Sequence, residues 1–183
     1  GVVQDVKERA KAQTGMAMVF PGPGRGSPDR HAAEVLSAVA SGLGGRLFEA
    51  LRDRRSLAYT VLASSWQRRD AGAFLTYIAM APEREHEARE AMLAELEGFR
   101  NEPVTAEELE GAVNYLAGQA LVSRQSGAAV AGEIVEAWLI GTGLEELEDP
   151  AAGYRSVSRE DVQRLATGIL EDGSRAEGVV RGS

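Results

Sequence analysis

Cysteine is absent from the 183-residue chain, and histidine occurs only twice. The first absence removes a disulfide framework, a thiolate nucleophile and any sulfur-ligated metal site. The second leaves little imidazole for metal or acid–base chemistry. No apolar run approaches the roughly 18 residues that a membrane span requires, and no charged start followed by a short apolar core marks a signal peptide. The chain reads as soluble, with no membrane span. Gly1 reads as the start of an excised segment, so a targeting segment upstream is compatible with the sequence, and the compartment stays open between bacterial cytoplasm and periplasm. Positive charge is also scarce. The formal net charge is -8, and the basic residues are scattered except for Arg52, Arg54 and Arg55, so no long cationic stripe can neutralise a phosphate backbone. Nucleic acid is set aside as a partner. A serine nucleophile would need a strained elbow such as G-x-S-x-G, and none occurs.

What is present is an ordinary globular composition, 44% hydrophobic and 26% charged, in a chain whose length suits one domain over residues 1–183. Residues 13–20 read as a strand bounded by the breaker run from Pro21 to Gly26. Ser27 then caps a helix with Pro28 at its first position, carried by Ala32, Val35, Leu36 and Val39 and ending near Gly42. A short helix over 46–52 follows, with Leu47, Phe48 and Leu51 as its apolar stripe. Residues 57–66 and 73–80 read as an antiparallel strand pair. Pro82 opens a helix with acidic residues near its positive end and Ala88, Met92, Leu96 and Phe99 as its stripe. Thr105 to Glu108 is a capping-box pattern; a further helix runs through Ile134, Val135 and Trp138; Ser158 caps another; and 176–180 reads as a closing edge strand. The expected fold is α+β, an αβ sandwich with a largely antiparallel sheet covered by helices.

Several segments invite chemistry that their residues do not support. The glycines of 22–26 sit between strand and helix, as a phosphate loop does, but Pro23 removes an amide and neither a Walker Lys nor G-x-G-x-x-G is present. His31-Ala-Ala-Glu34-Val35 resembles the inverted zinc motif H-x-x-E-H with its last histidine replaced by valine, and His86-Glu87 begins H-E-x-x-H but meets Glu90 where the second histidine belongs. Both histidines read as surface residues near helix starts, and Glu34 as a solvated helix residue. The acidic residues of 83–90 and 102–110 are accounted for by helix starts and solvated faces.

The segment Gly42-Leu-Gly-Gly45-Arg-Leu-Phe-Glu-Ala-Leu-Arg52-Asp-Arg-Arg-Ser-Leu-Ala-Tyr59 carries a different signal. A Gly-rich turn, a helix ending Leu-Arg and a strand beginning Leu-Ala-Tyr resemble the C-terminal, non-zinc domain of the pitrilysin, insulin-degrading and mitochondrial-processing peptidases. The seven-residue spacing from Arg52 to Tyr59 is that of the family. The resemblance extends from about Gln13 to about Asp172 through the Pro-Gly-Pro turn, the 72–80 strand and the helix starts at Thr105 and Ser158.

The resemblance implies one half of a clam-shell zinc metallopeptidase, with the metal held by a zinc-bearing N-terminal domain or partner subunit and no cofactor in this chain. It implies that Arg52 and Tyr59 reach across a cavity to hold and polarise a peptide substrate, as catalytic and substrate-binding contacts, and that this chain alone cuts nothing. Helices that cover the sheet in this family also pack against sister domains, so an excised copy would expose apolar surface and could form homo-oligomers. Two alternatives stay open on the residues alone. Arg52 could cap its helix or pair with Asp53 or Glu49 while Tyr59 is an ordinary strand aromatic, and the whole chain could be a non-catalytic peptide-binding or scaffold subunit of the same fold.

Overall fold

Alternation of buried and half-exposed side chains over Thr14–Gly22 (β2) fixes which way the sheet faces, with Met16, Met18 and Phe20 pointing to one side and Gly15, Ala17 and Val19 to the other. A computed structural model describes all residues except Leu43, Thr142, Asp172 and Ser183. Its strands are β1 (Val3–Arg9), β2, β3 (Thr60–Gln67), β4 (Gly72–Met80) and β5 (Ala176–Gly182), and its α-helices are α1 (Arg30–Ser41), α2 (Glu85–Asn101), α3 (Ala106–Ser123), α4 (Gly127–Ile140), α5 (Ala152–Arg155) and α6 (Arg159–Ile169). The five strands lie in the order β1-β5-β2-β4-β3. Every neighbouring pair is antiparallel except β1 with β5. This is the expected αβ sandwich with a largely antiparallel sheet.

The core lies between one sheet face and the helices. Phe74, Ile78 and Met80 of β4 join Met16, Met18 and Phe20 of β2 against Val35, Leu36 and Val39 of α1 and Met92, Leu96 and Phe99 of α2. Each such side chain contributes roughly 1.5–3 kcal/mol by leaving water. The capping boxes form as the sequence predicts: the Thr105 hydroxyl accepts from the Glu108 amide while the Glu108 carboxylate accepts from the Thr105 amide, and Ser158 with Asp161 repeats the arrangement.

Three expectations shift. The first strand runs on through Pro21 and Gly22, which pair with Ala73 and Gly72. Proline is tolerated there because β5 pairs β2 only over Gly15–Val19, so β2 has a free side where the missing N–H costs nothing. The first helix begins at Arg30, because the Ser27 hydroxyl accepts from the Asp29 amide in a preceding turn. β5 is not an edge strand, since β1 lies outside it.

One buried ion cluster ties the last strand to the helix layer. The Glu177 carboxylate, fully enclosed, accepts from Arg89 of α2 at 2.9 and 3.0 Å, from Arg175 at 2.6 Å and from Gln4 at 3.3 Å. Burial opposes its ionisation, but these donors hold the carboxyl below the usual glutamate range. Glu177→Ala removes the acceptor that Arg89, Arg175 and Gln4 share and is expected to lower unfolding stability by about 2–3 kcal/mol in urea titrations. A loss under about 1 kcal/mol would mean that the cluster is not the tie described here.

Candidate functional site

The short helix after α1 closes as a π-helical turn over Phe48–Asp53, where the Arg54 amide reaches back to the Glu49 carbonyl. Leu47, Ala50 and Leu51 bury its inner side. Ser56 then adopts φ 49°, a left-handed conformation costly for a residue with a Cβ. This turn sends Leu57 and Ala58 into the core and returns Tyr59 to the surface at the head of β3, with its amide donating to the Ala79 carbonyl at 2.9 Å.

Arg52 and Tyr59 are therefore both exposed and leave adjoining elements. The Arg52 guanidinium sits 4.8 Å from the centre of the Phe48 ring. It does not pair with Asp53 or Glu49; Glu49 instead lies 3.3 Å from Arg54. Tyr59 is 61% exposed, and its hydroxyl makes no hydrogen bond among the described residues. Arg52 and Tyr59 thus keep their donor groups free, while the neighbouring Arg55 lies 3.9 Å from Glu95.

The degenerate zinc helix has a different fate. Arg30, His31 and Glu34 of α1 and Gly153 and Tyr154 of α5 together line part of a cleft of about 530 Å³. His31 Nε2 accepts from Arg30 Nε at 3.1 Å, and the Tyr154 ring meets the imidazole edge-on at 4.9 Å. The Tyr154 hydroxyl donates to Glu34. A Cβ on Gly153 would lie 2.2 Å from His31 Nε2, so the imidazole packs on the bare glycine and would have to move for any larger residue. His31 is thus no surface residue and Glu34 no solvated one, because both are taken up in the α1–α5 contact. Tyr154 lies 120 residues from Glu34, just past Asp149-Pro150, where no sequence motif points to it. Burial first, then the adjacent Arg30 charge, lowers the His31 pKa to about 4; burial and Glu34 raise that of Tyr154.

A metal does not fit here. Val35 lies in the core at 0% exposure, Glu34 is engaged by Tyr154, and no group of three or more His, Cys, Asp or Glu side chains converges among the described residues. His86 is exposed and lies 3.7 Å from Glu90. In the glycine-rich turn, the Arg25 and Gly26 amides donate to the carbonyls of Arg68 and Arg69, so they are not free to cradle an anion.

The half-buried imidazole has a consequence for pH. Its folded pKa of about 4 lies below the usual 6.5, so the folded form loses stability as pH falls from about 6.5 towards 4, where unfolded His31 protonates first. His31→Gln is expected to flatten that limb in urea midpoints compared between about pH 7 and about pH 4.5. An unchanged slope would contradict the assignment.

Residues 2–116 match the family model of the peptidase M16 inactive domain. An uncharacterized zinc protease of Streptomyces coelicolor is 28% identical over 163 residues, covering 88% of this chain and 36% of that protein. One from Mycobacterium tuberculosis is 28% identical over 163 residues, covering 88% and 37%. The chain thus spans little more than a third of the length of these relatives. Among solved structures, the peptidase M16 inactive domain from Pseudomonas fluorescens superposes at a TM-score of 0.88 with 21% identity, over 100% of this chain and 44% of that one. The inactive peptidase domain of a Bordetella parapertussis protein gives 0.80 with 26% identity, over 93% of each chain. With the family model matching well over half of its length, the chain belongs to the peptidase M16 inactive-domain family.

Proposed function

We propose that this chain is the metal-free half of a peptide-hydrolysing assembly, in which Arg52 and Tyr59 contact the substrate and a partner domain or subunit holds zinc. Attack of water on a peptide carbonyl places negative charge on its oxygen, and donors already aimed at that oxygen lower the barrier. A guanidinium and a phenol are strong donors, and their backbone anchors at a π turn and a strand head limit their freedom. The observation that carries this reading is that both groups are exposed on adjoining elements and neither has a polar partner among the described residues. Zinc has no place in the α1 motif, so this chain's part is to bind and polarise the substrate.

The helix layer supports the need for a partner. Leu121 and Val122 of α3 and Ile134, Val135, Trp138 and Leu139 of α4 are exposed, with Trp138 at 82%. The only charges between Gly111 and Ile140 are Arg124, Glu133 and Glu136, and they are turned to ion pairs, Arg124 with Glu133 at 2.6 Å and Glu136 with Arg25 at 3.5 Å. An uncharged apolar face of this kind marks a contact surface.

In a parent assembly with measurable peptide turnover, Tyr59→Phe is expected to lower kcat roughly 10²-fold, and Arg52→Ala to lower kcat/KM to a similar degree, with folding unchanged. Wild-type rates in both would remove the catalytic role and favour a non-catalytic peptide-binding or scaffold subunit. In a Trp66→Phe background, acrylamide should quench Trp138 freely in this chain and several-fold less in the parent assembly. Equal quenching would place the partner elsewhere.

A further inference from the structure

The arginines of the 46–55 segment are held in two ways. Arg46 grips Glu108 with Nε at 2.6 Å and Nη2 at 2.7 Å, and Arg54 and Arg55 lie beside Glu49 and Glu95. Arg52 has no carboxylate partner among the described residues, and its guanidinium lies over the Phe48 ring instead. A carboxylate would occupy the N–H groups of Arg52, whereas a ring face attracts the charge and uses none of them.

The ring is a fixed platform. Phe48 is partly buried and packs against the core. The chain before it is fastened by Arg46, which besides gripping Glu108 donates to the Pro103 carbonyl at 3.2 Å and lies over the Phe99 ring at 5.0 Å. The chain after it is fastened at the left-handed turn, where the Ser56 amide donates to the Arg52 carbonyl at 2.9 Å and the Leu57 amide to the Leu51 carbonyl at 2.8 Å. The backbone of Arg52 is set by these contacts, but an exposed arginine side chain keeps large rotamer freedom unless something holds it. Phe48, four residues earlier on the same helical turn, is placed to do so.

We infer that Phe48 is a positioning residue, whose ring holds the Arg52 guanidinium in the direction in which it meets the substrate while leaving its N–H groups free. This rests on the reading of Arg52 as a substrate contact and goes beyond it by assigning the side chain that orients the donor. The role needs an aromatic face, so an aliphatic residue of similar bulk does not replace it.

The first measurement needs no turnover. With arginine isotopically labelled and the Arg52 signals assigned by their loss in Arg52→Lys, the δ-methylene protons of Arg52 should lie upfield in the ring current of Phe48. They should stay there in Phe48→Tyr and move to the position of a free arginine in Phe48→Leu and Phe48→Met, while the signals of Arg46 hold still and report an intact fold. The second measurement is a double-mutant cycle in the parent assembly. Phe48→Leu is expected to lower kcat/KM roughly three- to fivefold, Phe48→Tyr to retain most of it, and Phe48→Leu to cost nothing further in an Arg52→Ala background. Arg52 signals already at the free position in the wild type, unchanged turnover in Phe48→Leu, or a Phe48→Leu loss that persists in the Arg52→Ala background overturns the inference. Wild-type turnover in Arg52→Ala is a separate outcome, which removes the reading of Arg52 as a substrate contact, and the proton shifts report the ring contact independently of it.

Discussion

A sheet whose helices all gather on one side can bury only that side within its own chain, and the rest of this structure follows from that constraint. The buried face is mostly apolar: Met16 and Phe20 lie across from Ile78 and Phe74, while Met18 meets Thr76 and Met80 meets Thr14. The other face, the β3 edge and the outer side of α3 and α4 are left to solvent or to partners. Glu177, a buried charge on the covered side, is met by Arg89, Arg175 and Gln4, so the last strand is fixed by directional bonds as well as by packing.

Local signals were readable in the sequence where the physics is local. Thr105 with Glu108 and Ser158 with Asp161 announce helix starts because a capping box is a four-residue device. The 57–66 and 73–80 runs announce a hairpin because β-branched and aromatic residues flank a short polar loop. β1 escaped notice because none of its side chains is buried, so Val3–Arg9 has no alternation to betray it, and its partner β5 lies at the other end of the chain. The same non-locality hid the His31–Tyr154–Glu34 contact and the Glu177 cluster, which depend on residues more than 80 positions apart. Arg52 and Tyr59 stood out through the spacing of a whole segment, since neither an arginine nor a tyrosine alone distinguishes a contact from surface.

The two motifs in the chain illustrate opposite outcomes of the same architecture. In the α1 motif, valine at position 35 has joined the core while Arg30, His31 and Glu34 pack against α5, so a helix with the outline of a metal site serves stability. At the π turn the chain retains a conformation with a local cost, φ 49° at Ser56, and two donor side chains, Arg52 and Tyr59, without polar partners among the described residues. The costly turn at Ser56 is what returns Tyr59 to the surface at the head of β3.

The central claim, that Arg52 and Tyr59 look onto a metal-bearing partner, is most directly tested by distance. With cobalt in place of zinc in the parent assembly, single nitroxide labels at Arg52→Cys, Tyr59→Cys and Trp66→Cys can be compared for relaxation by the metal. Trp66 lies about 23 Å from Tyr59 along β3, at roughly 3.3 Å per residue. The account predicts strong relaxation at 52 and 59 and much weaker relaxation at 66. Equal relaxation at all three, or the strongest at 66, would contradict it.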